Sequence, residues 1–147
     1  MAAITITQYR NGLYTLLSDQ VTATPTLLRK VHRWRPGGIG DAPVAWIGDL
    51  NDDLAYDMGT RYRTMTGDIL IADGYPTDLV TSADPFDELR DALVARFTSN
   101  ATVIGPGTIL ELLNVAEGDL SLAGAERVTN YRGMTLSTRL RIWEGRE

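Results

Sequence analysis

The chain has 147 residues, a formal net charge of −5 and no cysteine. This length predicts one domain, and the missing cysteines exclude disulfides, thiolate metal sites and thiol catalysis. The acidic balance disfavours a protein that binds nucleic acid by neutralising phosphates, although it is compatible with one that lets DNA slide past. The N-terminus has no signal-peptide pattern, and runs such as 69–72 are too short to span a bilayer.

The first part of the chain predicts a helix and then two strands. Residues 8–22 place apolar side chains at helical spacing, so we expect a helix there. Residues 27–35 are ambiguous, but β-branched and aromatic residues favour a strand. A glycine-rich loop at 36–43 then leads to a second strand at 44–50.

The middle of the chain alternates in the manner of a β-sheet. Residues 54–58 form a short alternating segment, and a longer strand is expected from 61 to 73. Gly67, inside the longer strand, indicates a bulge or a bend.

A second helix is predicted over residues 84–100. Asp84 is a good N-cap, and Pro85 suits the first helical position because its missing N–H has no partner there. Four side chains fall on one face and are predicted to pack on a sheet: Phe86, Leu89, Leu93 and Phe97.

The last part of the chain predicts two more strands. Residues 109–115 favour a strand, though such a short apolar run is also compatible with a helix. Residues 117–119 are expected to turn the chain, and 131–143 alternate cleanly between apolar and polar residues. The order of elements predicts an α+β fold, with an antiparallel or mixed β-sheet packed against two helices in a single domain, 1–147.

No catalytic or metal-binding pattern stands out. His32 is the only histidine, and neither a second zinc ligand nor a nucleophile-elbow serine accompanies it, so a polar residue on a half-exposed strand is favoured over a catalytic base. The glycine-rich run 37–40 leads toward a strand and lacks a following Lys-Ser/Thr pair. A connector is therefore favoured over a phosphate cradle.

Oxygen ligands at alternating positions in 49–57 resemble the start of a calcium loop. The position that needs glycine holds Leu54, and the twelfth position holds Thr60 instead of a bidentate glutamate. An EF-hand is excluded, and a solvated acidic turn is favoured over a weak surface site. No metal and no cofactor are expected.

Arginine and aromatic residues are interleaved along the first predicted strand, with Arg29, Arg33 and Arg35 on one face and Trp34 on the other. Such a pattern is compatible with nucleic-acid binding, but the acidic charge favours a subunit interface, where Arg and Trp are enriched. Arginines can pair there with the carboxylates of a neighbouring subunit. The predicted interface consists of Arg33, Trp34, Arg35, Gly37, Gly38, Asp49, Asp52, Asp53, Asp57, Arg61 and Arg63.

Four segments carry a resemblance to a known family. Residues 31–47 resemble the first hairpin of the tail terminator proteins of long-tailed phages, and 60–65, 86–100 and 131–146 resemble later elements of the same family. The match covers most of the chain in size and order of elements. Other neck proteins, such as head-completion and minor tail proteins, have a comparable length.

The resemblance implies a structural virion protein of the tail and neck, without enzymatic activity or a membrane association. In this family the subunits form a ring, expected to be a hexamer, that caps the tail tube and stops its polymerisation. The implied partners are other copies of the chain, the tail tube protein and a head-completion or connector protein, with DNA passing through the lumen without specific binding. Assembly would take place in the host cytoplasm. The alternatives are another neck protein, a small metal- or nucleotide-binding enzyme, and a monomeric binding module.

Overall fold

In a computed structural model, the chain forms a five-stranded sheet with both helices packed on one face. The structure describes residues 4–22, 28–36, 43–57, 60–73, 79–100, 104–105, 108–123 and 128–146; at 22, 53–57, 60–62, 73, 79–86, 119–123, 128–132 and 143–146 it describes the backbone only. The elements are α1 (Ile6–Thr22), β1 (Lys30–His32), β2 (Val44–Asp57), β3 (Thr60–Asp73), α2 (Leu79–Ser99), β4 (Thr108–Ala123) and β5 (Val128–Arg146). The predicted α+β class is confirmed, and the sheet is mixed.

The strands lie in the order β1-β2-β3-β5-β4, so β1 and β4 form the two edges of the sheet. All neighbouring strands are antiparallel except β1 and β2, which run parallel, with Val31 beside Ala45. The expected hairpin between these two strands is therefore wrong. The connection at 33–43 is long enough for the chain to return to the end of the sheet where β1 began, so β2 can run parallel to β1. Local sequence patterns do not indicate whether a connection returns in this way or turns back as a hairpin.

A reciprocal capping box begins α1. The Thr5 N–H donates to Gln8 Oε1 at 2.8 Å, and the Gln8 N–H donates to Thr5 Oγ1 at 3.1 Å. This pair satisfies two amide protons that the first turn leaves free, and buried Ile4 and Tyr9 occupy the positions of a hydrophobic staple. The helix consequently begins at Ile6 rather than at the predicted residue 8.

A buried chain of hydroxyl groups fixes α1 over the centre of the sheet. The Thr138 hydroxyl donates to the Gly67 carbonyl at 2.9 Å, so its oxygen accepts the proton of Tyr9, with 2.5 Å between the two oxygens. Burial raises the pKa of Tyr9 to about 12; the hydrogen bond to Thr138 opposes this shift, and the charge of Asp68 adds to it. The phenol is therefore neutral and able to donate.

Gly67, which accepts the bond from Thr138, also packs directly against the side chain of Leu50. A Cβ atom there would lie 2.2 Å from Leu50 Cδ2, so no other residue fits without movement of the packed Leu50 side chain. The irregularity predicted at Gly67 is found on the opposite strand, where Gly48 and Asp49 of β2 face the single residue Asp68 of β3. Of the segment predicted at 54–58, residues 54–57 continue β2, and residue 58 lies outside the described residues.

The second helix begins at Leu79, five residues before the predicted N-cap at Asp84. Asp84 and Pro85 thus lie inside the helix, and their predicted positions as N-cap and first helical residue are wrong. An N-cap preference of about 1 kcal/mol does not prevent helix formation before Asp84. The helix also continues through Pro85, at a cost of about 3 kcal/mol for the backbone hydrogen bond that a proline cannot make. Of the predicted packing face, Leu89, Leu93 and Phe97 are buried in the core, as expected. The Phe86 side chain lies outside the described residues.

Strands β4 and β5 are both longer than expected. The turn predicted at 117–119 is wrong: the chain continues as strand there, with Gly118 opposite Gly133. A turn-forming sequence can remain extended when a long partner strand pairs with it residue by residue. The predicted alternation of β5 is confirmed, since its apolar positions and Thr138 are buried: Met134, Leu136, Thr138, Leu140 and Ile142.

Leu93 tests the packing of α2 on the sheet. We expect Leu93→Ala to lower the free energy of unfolding by about 2–5 kcal/mol, because it leaves a cavity in a fully buried position. Chemical denaturation measures this change, with Val94→Ala on the partly exposed face of the helix as the control. Equal, small effects of both variants would show that α2 does not pack in this way.

The hydroxyl chain predicts unequal effects of two isosteric changes. Tyr9→Phe should cost about 0.5–1.5 kcal/mol, because Thr138 still donates to Gly67. Thr138→Val should cost more, because it leaves two buried polar groups without partners. Equal losses for Tyr9→Phe and Thr138→Val would contradict the assigned direction of the hydrogen bonds.

The raised pKa of Tyr9 predicts that the stability of the fold depends on pH. The folded state keeps the Tyr9 proton up to about pH 12, whereas the unfolded chain loses it near the ordinary tyrosine pKa of 10.0. Between these values the unfolded state binds fewer protons, so the free energy of unfolding falls as the pH rises. The wild type should lose more stability than Tyr9→Phe in this window, as measured by urea titration at each pH.

Candidate functional site

The β1 edge of the sheet carries an exposed group of basic residues around one tryptophan. Trp34 is 67% exposed, more than either of the other exposed large apolar side chains. Four basic side chains beside it are also exposed: Arg29, Lys30, Arg33 and Arg35. Within the described part of the chain, no carboxylate forms an ion pair with any of these four. We call these five residues the basic edge.

Arg10 of α1 supports Trp34 from beneath. Its guanidinium carbon lies 3.7 Å from the centroid of the indole ring, and its Nη1 donates to the Arg33 carbonyl at 2.7 Å. Trp34 and the neighbouring backbone leave Arg10 only 8% exposed. Burial lowers the pKa of Arg10, while the negative charge of Asp49 acts in the opposite direction. The arginine remains charged at neutral pH and holds one face of Trp34 by a cation–π contact.

A second stack lies beside the first. The Arg33 guanidinium carbon lies 4.4 Å from the centroid of the Tyr14 ring, and Arg33 Nε donates to Asn11 Oδ1 at 3.1 Å. Both partners belong to α1, so the helix orients Arg33 as well as Trp34. Trp34 and Arg33 are therefore preorganised, which reduces the entropy lost when they bind a partner.

The predicted interface residues do not form one cluster. Arg33, Trp34 and Arg35 lie together, but they follow β1 instead of sharing a long strand with Arg29, so the expected division of the arginines and Trp34 between two faces of a strand is wrong. Asp49 is brought near this group by the β2 bulge, which redirects the chain.

The other predicted residues that the structure describes lie on β2 and β3. Arg63 Nε donates to Asp52 Oδ1 at 2.9 Å, and Arg63 also donates to the Ile4 carbonyl at the start of α1. This ion pair forms within one chain, and a contact of either residue with a neighbouring subunit stays a prediction. The backbones of Asp53, Asp57 and Arg61 lie on β2 and β3, and their side chains are outside the described residues, as are Gly37 and Gly38 entirely.

The opposite edge of the sheet has a different character. Asp87, Arg90 and Asp91 of α2 face Val115 and Glu117 of β4 across an open groove of about 480 Å³. Arg90 Nη1 lies 3.8 Å from Asp91 Oδ1, a loose and largely exposed pair. We call these five residues the acidic edge. Exposed Leu113 lies nearby on β4, at a bulge where β4 carries one residue more than β5.

A third polar cluster lies on the face of the sheet opposite the helices. Glu111 accepts a bond from Arg139 Nη2 at 2.7 Å and another from Arg141 Nε at 2.5 Å. The bond from Arg139, followed by that from Arg141, lowers the pKa of Glu111 despite some burial. These three charges bind one another, so they act first to join β4 to β5.

The structure offers little support for chemistry at His32. The ring is partly exposed on β1, and burial together with the Lys30 charge lowers its pKa. Among the described residues, no group of three or more His, Asp or Glu side chains is arranged to hold a metal ion. No helix in that part of the chain has the length and apolar content needed to cross a membrane.

Sequence reasoning missed Arg10, Tyr14 and the acidic edge. Arg10 and Tyr14 are four residues apart, which places them on one side of α1 next to its apolar stripe. That spacing was visible in the sequence, but the partner segment at 33–35 was not, because only the tertiary fold brings the two together. Asp87 and Glu117 likewise meet only because α2 packs beside β4.

Comparison with known proteins adds no relative. No family model matches the sequence, and no curated protein matches it significantly.

The supporting role of Arg10 can be tested by comparing its replacement with that of Arg33, because Arg10 is buried and Arg33 is exposed. Arg10→Lys keeps the charge but loses the planar stack and the directed bond to the Arg33 carbonyl, so we expect a loss of about 1–3 kcal/mol in stability. Arg33→Lys should change stability by less than about 0.5 kcal/mol. Thermal and urea denaturation measure both, and equal effects would contradict the supporting role of Arg10.

Proposed function

We propose that this chain is a structural subunit of a virus tail, a tail terminator that forms a ring on the end of the tail tube, stops tube growth and joins the tail to the head. The resemblance in residues 31–47, 60–65, 86–100 and 131–146 motivates this proposal. The observation that carries it on the structural side is the pair of unlike, open sheet edges at β1 and β4.

Unlike edges favour association from head to tail. A ring requires two different, complementary patches on each subunit, so that every copy binds the next by the same contact and the rotation closes. The basic edge lies at β1 and the acidic edge at β4, the two edge strands of the sheet. The two strands differ in length, and the two edges differ in charge and in exposed apolar residues.

The basic edge also has the composition of an interface. Trp and Arg are the residues that most often dominate binding energy at protein contacts. Trp34 presents one face to solvent while Arg10 holds the other, which is the arrangement expected of an anchor residue. The same residues are compatible with nucleic-acid stacking, but the net charge of −5 favours a protein partner.

The proposed partners follow from the position of such a ring. Its two rims would contact the tail tube protein and a head-completion or connector protein, and DNA would pass through an acidic lumen without specific binding. No cofactor is required. A different neck protein is the second candidate, because the same fold and the same edges would serve a ring elsewhere in the neck.

Deletion of the gene from the virus that encodes this chain separates the two candidates. A tail terminator predicts tails of uncontrolled length that do not join heads, with normal length restored when the wild-type protein is supplied from a plasmid. A head-completion role predicts tails of normal length that remain unjoined. Tails of normal length that join heads and give infectious particles would contradict both, as electron micrographs of lysates would show.

A further inference from the structure

We propose that copies of this chain bind one another through opposite charges, with the basic edge of one copy seated against the acidic edge of the next. This inference rests on the proposed ring and specifies which surfaces meet. It commits to a second copy of the chain as the occupant of both edges.

The two edges cannot neutralise each other within a single chain. They lie at opposite ends of a five-stranded sheet, separated by four inter-strand spacings, or roughly 19 Å. The basic edge presents four cationic side chains, and in the acidic edge three carboxylates surround the single guanidinium of Arg90. As far as the described residues show, each edge therefore leaves charge in solvent that a second copy can pair.

Two copies of the same edge repel each other. A two-fold contact between two basic edges would place arginines and Lys30 against one another, and repulsion of this kind selects against the wrong arrangement. A contact from basic to acidic edge removes that repulsion in both copies. The charges thus favour a polar arrangement, the kind that leads to a closed ring.

Apolar anchors accompany the charges on both sides. Trp34 is exposed in the basic edge, and Leu113 is 49% exposed beside the acidic edge. Exposed ion pairs each contribute little to affinity, so charge alone gives orientation more than affinity. Burial of Trp34 against Leu113 and Val115 would supply the apolar part of the contact, and the charged side chains that line the rest of the groove between α2 and β4 would face the arginines beside Trp34.

Two double substitutions test whether the basic edge binds the acidic edge, and neither of them replaces a core residue. Arg33→Ser with Arg35→Ser removes charge from the basic edge, and Asp87→Asn with Asp91→Asn removes charge from the acidic edge. Asp68→Asn is the matched control, because Asp68 is exposed on β3, away from both edges. Circular dichroism and thermal melting confirm that each variant folds.

Sedimentation velocity over a range of concentrations then measures association. We expect the wild type and Asp68→Asn to associate, with a dissociation constant that rises with salt because the pairs are screened. Each edge variant alone should be monomeric. An equimolar mixture of the two should form dimers and nothing larger, because each pair of unlike copies retains only one intact pair of edges.

Three results would overturn the inference. The wild type could remain monomeric at every concentration. One edge variant alone could associate as the wild type does, which would indicate a contact that does not use that edge. Finally, a short DNA duplex could bind the wild type but not the Arg33→Ser, Arg35→Ser variant while the wild type stays monomeric, assigning the basic edge to nucleic acid. If association follows the expected pattern but gene deletion leaves tail length unchanged, the edge pairing stands and the tail-terminator assignment fails.

Discussion

The buried hydrogen-bond chain from Tyr9 through Thr138 to Gly67 is the constraint on which the rest of the molecule depends. It joins α1 to the neighbouring strands β3 and β5, at a glycine where any added side chain would displace Leu50. Because Tyr9 is held there, the next residue, Arg10, is directed toward the β1 edge, where it supports Trp34. A polar group in the core thus determines the surface at the edge, through the rotation of one helix.

The parts of the fold that repeat a simple period could be predicted from the sequence. The alternation in β5 and the apolar stripe of α1 identify buried faces, because each depends only on neighbours along the chain. The α+β class follows from them. Local stop and start signals were less reliable. The glycine at 118 lies inside a strand, because pairing with a long partner strand outweighs a preference of about 1 kcal/mol. Asp84 and Pro85 lie inside α2, although an interior proline costs a helix about 3 kcal/mol.

The candidate surfaces could be predicted only in part. Arg33, Trp34 and Arg35 are adjacent in sequence, so their composition alone indicated an interface. Their support by Arg10, and the meeting of α2 with β4 that forms the acidic edge, depend on contacts between segments far apart in the chain. The capping box that begins α1 was readable from the sequence as a threonine followed three residues later by a glutamine, and it sets the register on which Arg10 depends.

We propose that two unlike edges of one sheet meet between neighbouring copies. Electron cryomicroscopy of the tail end, or of the purified oligomer, would show this contact. We predict a closed ring in which Trp34 of each subunit lies against the groove between α2 and β4 of the next, in every interface and in one direction around the ring. Density showing like edges paired across two-fold axes, or both edges in solvent, would contradict it.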